Sequence, residues 1–203
     1  MSGPASEFFD AERLEALFDE VDLELGDGEP VRVVACGGAV MVFKYDIRRT
    51  NDVDVISEPF PLELRQATET VARRRGLAEG WMNDAAKISV PRLAPRLETI
   101  YQGRRLEVLS PGPHFLLAMK LAAGRDRDLP DAAMLIDEIG FADAEEVLDL
   151  IEEAWGHTQL SIAVEYFARE AFEMAQQEVI LAPPDLQRFT PPPPPDRGIS
   201  LFD

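Results

Sequence analysis

The segment Val31-Arg32-Val33-Val34-Ala35-Cys36 runs directly into Gly37-Gly38. Its length and β-branched residues predict a buried strand. The paired glycines clear side chains from the end of that strand, and the apolar stretch Ala39 to Phe43 behind them predicts a short helix. Asn51 to Ser57 then alternates acids with valines and predicts a second strand. Gly-Gly alone reads as a tight turn, and Asp-x-Asp alone as a solvated strand face. The order strand, Gly-Gly, helix, Asp-x-Asp strand is what constrains the chain, because packing does not by itself demand it.

On a strand, residues i and i+2 share a face about 6.6 Å apart. Asp52 and Asp54 therefore project together while Val53 and Val55 turn to the core. Two such carboxylates repel each other and hold their charge best against a divalent cation, and hard oxygen donors suit Mg²⁺ or Mn²⁺. A pair of this kind can bridge two metals about 4 Å apart, the arrangement of in-line phosphoryl or nucleotidyl displacement. The N–H groups of Gly37 and Gly38, at a helix N-terminus, suit phosphate oxygens.

Around this stretch the pattern mixes strands and helices and then turns wholly helical. Phe8, Leu14, Leu17, Phe18 and Val21 recur at helical spacing. Pro61 to Gly76 predicts a helix stopped by its glycine. Residues 77–96 read as irregular, and Leu97 to Tyr101 with Arg104 to Leu109 as a hairpin turning on Gln102-Gly103. Pro111 to Ala123 predicts a helix, and three more are expected near 130–139, 143–155 and 158–177, with Gly140 and Gly156 as stops. This is an α/β (α+β) pattern: a core over 1–125, a helical part over 126–181, and a proline-rich tail over 182–203.

Chain length, 203 residues, suits one domain with a sizeable core. The lone Cys36 excludes an internal disulfide and a cysteine-based zinc site. No apolar run approaches the roughly 18 residues a membrane span needs, and the acidic N-terminal residues lack the features of a secretory signal, so a cytoplasmic protein is expected. The net charge of −18 excludes bulk attraction to nucleic acid or anionic membrane. Charge is uneven, however. Residues 1–30 carry ten acids and one base, and residues 131–178 thirteen acids and one base, whereas residues 64–105 carry nine bases and four acids. The basic segment reads either as a local anion-facing surface or as a solvated helix face.

Gly37-Gly38 followed by Arg49-Thr50-Asn51-Asp52-Val53-Asp54 resembles the minimal nucleotidyltransferase fold of the DNA polymerase beta superfamily. Trp81-Met82-Asn83-Asp84, the Lys120 helix and Arg127-Asp128-Leu129-Pro130-Asp131 extend the resemblance. They make it similar to type IV abortive-infection toxin nucleotidyltransferases and uncharacterised relatives, over about residues 31–175.

The resemblance implies a nucleotidyltransferase fold with a small mixed sheet and a helical C-terminal part. It implies Mg²⁺ (or Mn²⁺) on Asp52 and Asp54, with Glu107 as the place to look for a third metal carboxylate. Superfamily members often carry Asp at that place. Gly37, Gly38, Arg49, Thr50 and Lys120 would bind the NTP, and Asp131 would serve the acceptor hydroxyl as base. The acceptor would be RNA, such as tRNA, or a protein, and a cognate antitoxin is an expected partner. A non-catalytic nucleotide- or partner-binding member of the fold is the alternative.

Other residues read more plainly. Asp128 reads equally as an N-cap, and Trp81 as a core anchor. Asn83 reads as an Asx turn or a nucleotide contact, His114 and His157 as structural, and Cys36 as an inert core thiol.

Overall fold

The computed structural model describes residues 8–46, 49–56, 60–88, 90–156 and 161–181. Asp10 starts helix α1 (Ala11–Leu25), its carboxylate accepting the Arg13 N–H at 3.0 Å. Leu14, Leu17, Phe18 and Val21 are its fully buried face, as their spacing predicts. β1 (Val31–Cys36) follows and leads into α2 (Gly37–Tyr45), then β2 (Val53–Ile56) and α3 (Leu62–Arg75). α3 ends on Gly76 at φ +67°, the left-handed cap its glycine provides. After it come β3 (Met82–Asn83), a 3₁₀ turn (Ala85–Ile88), β4 (Leu97–Gln102) and β5 (Leu106–Pro111).

The five strands form one mixed sheet in the order β3-β2-β1-β5-β4. β1 runs parallel to β5 and antiparallel to β2, β2 runs parallel to β3, and β4 and β5 are the expected hairpin. The expected small mixed sheet is therefore present, and the fold is α+β. One face of the sheet carries Val31, Val33, Ala35, Val53, Val55, Leu106 and Val108, all buried. Alternation sets the face within each strand, and the register of β1 with β2 and β5 brings the three sets together.

The chain divides into two compact units: Met1–Val90 with Leu97–Pro111, and Pro91–Arg96 with Gly112–Asp203. The first holds the sheet with α1, α2 and α3. The second holds α4 (Pro113–Ala123), a 3₁₀ turn (Asp126–Asp128), α5 (Leu129–Ile139), α6 (Ala144–Trp155) and α7 (Ile162–Leu181). The boundary expected at 125/126 thus falls earlier, before α4. The reason is local: Phe115, Leu116, Leu117, Ala118 and Leu121 make α4 an apolar helix, which packs on α5 and α6. Gly140 and Gly156 stop α5 and α6 as expected. Arg48, His157 and the proline-rich tail from 182 lie outside the described residues.

The hairpin turn departs from its sequence reading. Gly103, Arg104 and Arg105 connect the strands, and the cause lies on α1. The buried Asp22 carboxylate accepts the N–H groups of Arg104, Arg105 and Leu106 at 2.8, 2.7 and 2.7 Å. A Cβ on Gly103 would lie 2.6 Å from Asp22 Cγ, so only glycine admits this approach. Burial opposes ionisation of Asp22, but the three N–H groups outweigh it and hold its carboxyl below the usual range.

Asp22→Ala should cost about 3 kcal/mol, because buried donors lose their acceptor. A group with a depressed folded-state value stabilises above the unfolded value, about pH 3.9, and loses that contribution as the pH falls through the folded one. Denaturant unfolding of both proteins should therefore give a gap that is full at pH 7 and closes below about pH 4.

Candidate functional site

The end of β1 brings the glycines to the Asp-x-Asp strand. Asp54 stands opposite Cys36 on one side and opposite Asn83 of β3 on the other. Gly37, at φ +64°, follows Cys36 immediately, and a Cβ built on it would lie 3.5 Å from Asp54 Oδ2. Gly37 and Gly38 open α2 with no side-chain cap, so their N–H groups lead the helix. Val53 and Val55 are fully buried, whereas Asp52 is exposed and Asp54 half-buried. The alternation read from the sequence thus holds through Val53, Asp54 and Val55.

Asp52 is met by the side chain of Thr50. Thr50, 7% exposed, lies with its Oγ1 3.0 Å from Asp52 Oδ1 and 3.1 Å from the Asp52 carbonyl, donating a shared hydrogen bond. Thr50 is itself bridged to Phe9 through main-chain bonds of 2.5 and 3.1 Å. The Phe9 ring meets Trp81 edge-on at 5.9 Å, and the Trp81 carbonyl accepts the Val53 N–H at 2.6 Å. Trp81 is a core anchor, 2% exposed, with its indole N–H on the Thr68 carbonyl. Asn83 makes an Asx turn, accepting the Ala85 N–H at 2.8 Å. Arg49 is exposed beside this arch.

Burial first, and then the Asp54 charge, push the Cys36 thiol far up, so it stays protonated. It offers neither a nucleophile nor a thiolate ligand. The donors left are carboxylate oxygens, which fit a hard divalent cation held by one or two carboxylates and completed by phosphate oxygens.

Glu107 does not join them. It pairs with Arg32, four residues before the partner of Asp54, which is about 13 Å along the strand direction. Its carboxylate accepts from Arg32 Nε at 2.6 Å and Thr99 Oγ1 at 3.2 Å. Among the described residues, no three His, Cys, Asp or Glu side chains gather where they could hold a metal.

Lys120 and Asp131 belong to the second unit. The Lys120 ammonium, 4% exposed, donates to Asp128 Oδ1 at 3.1 Å and to Asp131 Oδ2 at 2.6 Å. The resemblance implied that Lys120 binds NTP; here two carboxylates of its own chain are among the anions it faces. Asp128 and Asp131, three residues apart, thus meet the same ammonium, and both are buried. Asp128 precedes α5 without making a side-chain cap.

A family model described as a nucleotidyltransferase of unknown function (DUF6036) matches residues 12–176. The chain belongs to this family. The nucleotidyltransferase model covers residues of both units, with Gly37, Gly38, Asp52, Asp54, Glu107, Lys120 and Asp131 among them. No curated protein and no solved structure gives a significant match. Among the described residues, no helix of this nucleotidyltransferase family member is long and apolar enough to cross a membrane.

Several arginines of the basic segment are engaged within the first unit. Arg75 Nε donates to Glu20 at 2.8 Å, and Arg74 pairs with Glu24 and Glu20. Both tie α3 to α1 and hold the Glu20 carboxyl below its usual range, the Arg75 hydrogen bond first. Arg105 is buried on Glu63 and on the carbonyls of Glu29 and Leu25. Arg65 lies over the Phe60 ring at 5.2 Å. Sequence reasoning gave these side chains as one basic stretch. It did not pair Arg74 and Arg75 with α1, although the run of acids in residues 1–30 was the signal.

Proposed function

We propose that the chain transfers NMP from an NTP to a hydroxyl acceptor and releases pyrophosphate, with Mg²⁺ or Mn²⁺ on Asp52 and Asp54. The observation that carries this reading is the approach of Gly37 to Asp54 Oδ2 in a nucleotidyltransferase family member. The N–H groups of Gly37 and Gly38 would take triphosphate oxygens at the start of α2. The exposed Arg49 would neutralise part of the phosphate charge. A bound divalent cation would supply charge stabilisation at the transferring phosphoryl group. The acceptor oxygen forms its bond to the α-phosphorus as the bond to pyrophosphate breaks, and the hydroxyl proton leaves to solvent or to a nearby base. Lys120 and Asp131 carry no step here, because they are bonded to each other.

The acceptor is RNA or a protein, and a toxin restrained by an antitoxin would use the same chemistry. Arg74 and Arg75 are spent on α1, which removes two cations from any RNA-facing surface and favours a protein acceptor. Glu107, tied to Arg32, supports a second reading: a nucleotide-binding member that does not transfer.

Incubation with labelled NTPs, Mg²⁺ and either total tRNA or lysate protein tests all of this. Label on the acceptor, lost with EDTA, is the expected result. Transfer to RNA should weaken steeply with salt, and transfer to protein should not. Mg·NTP binding without transfer would establish the second reading, and no NTP binding at all would overturn both.

A further inference from the structure

The arch leading into β2 is pinned at both ends. At one end Thr50 exchanges main-chain hydrogen bonds with Phe9, and at the other Val53 donates to the Trp81 carbonyl. Phe9 and Trp81 touch each other and are 1% and 2% exposed. Only Asn51 and Asp52 span the gap, and both are exposed. An exposed aspartate has several open χ1 rotamers. Here a buried hydroxyl reaches it. Thr50 Oγ1 is 3.0 Å from Asp52 Oδ1, and the Asp52 N–H approaches the same oxygen at 3.5 Å. Thr50 is β-branched and clamped through its backbone, so its own χ1 is restricted.

The resemblance places Thr50 among the nucleotide-binding residues. We propose instead that Thr50 is a positioning residue: its hydroxyl sets the Asp52 carboxylate, and the Phe9 bridge sets the hydroxyl. It acts through Asp52 and need not touch nucleotide. Outer partners of a metal-binding carboxylate are worth about 10–100-fold in metal affinity or activity. The kinetic part of this proposal rests on the nucleotidyl-transfer reading; the conformational part does not.

The experiment compares wild type with Thr50→Val, which removes the hydroxyl, and Thr50→Ser, which keeps it. Thr50→Ala replaces the valine variant should that one not fold. Three-bond couplings from the Asp52 N and C′ to its Cγ report χ1 without any ligand. Wild type and the serine variant should show one rotamer, and the valine or alanine variant rotamer averaging. The wild-type rotamer kept in the variant lacking the hydroxyl would overturn the proposal.

Titration with Mn²⁺ alone should show affinity about tenfold lower in that variant, with serine restoring it. In the transfer assay kcat should fall by a similar factor, while KM for NTP changes little. Equal Mn²⁺ affinity and equal kcat in wild type and the variant would also overturn it. A wild type that transfers nothing would end the transfer reading instead, and the couplings would still decide the role of Thr50.

Discussion

Asp54→Asn should abolish Mg²⁺-dependent transfer while leaving the fold in place. Asparagine keeps the side-chain shape beside Gly37, so Val53 and Val55 retain their core positions. It removes one charge from a pair of carboxylates that alternation puts on the same side of the strand. Relief of that repulsion offsets whatever contact the carboxylate loses, and the change in stability should stay within about 1 kcal/mol. Groups aimed at charge that develops in the transition state are worth about 10²–10³-fold in rate. A carboxylate that also holds the cation should cost at least that much. Transfer rate against Mg²⁺ concentration, beside a thermal melt, checks both halves. A variant that melts far below wild type yet transfers normally would show Asp54 to be a structural residue.

Local patterns were legible in the sequence and distant pairings were not. β1, the Gly37-Gly38 start of α2 and the alternation through Val53, Asp54 and Val55 follow from neighbours a few residues apart. So do the glycine stops at Gly76, Gly140 and Gly156. β3 was missed because it is two residues long and exists only through its register with Val53 and Asp54. The hairpin turn was misplaced because Asp22, 82 residues before Arg104, holds it. Glu107 was the place the resemblance gave for a third acid. Its partner on β1 is Arg32, at the end away from Asp54, and no local pattern carries strand register. The basic segment looked like a surface because its pairing with Glu20, Glu24 and Glu63 spans 42 to 55 residues of sequence.

Lys120→Met should unfold the protein more readily rather than simply weaken nucleotide binding. The ammonium lies between Asp128 and Asp131, and all three side chains are nearly sealed from water. Methionine fits the same apolar helix beside Leu116, Leu117 and Leu121 but leaves two buried carboxylates without this cation. Breaking a buried pair by removing one partner costs about 3–5 kcal/mol, because the remaining charge has been taken from water without compensation. For a chain of this size that is a fall of roughly 6–20 °C in Tm.

Neutralising the carboxylates as well, in Lys120→Met with Asp128→Asn and Asp131→Asn, should return part of the loss, since the buried charges that faced the ammonium are then removed. The two roles open to Lys120 separate cleanly on this comparison. A phosphate ligand would leave Tm unchanged on mutation to methionine and raise the Kd for NTP, and the added asparagines would rescue nothing. An internal counterion would lower Tm sharply and be partly rescued by them. With two of its three donors already spent on carboxylates at 2.6 and 3.1 Å, Lys120 should follow the second pattern.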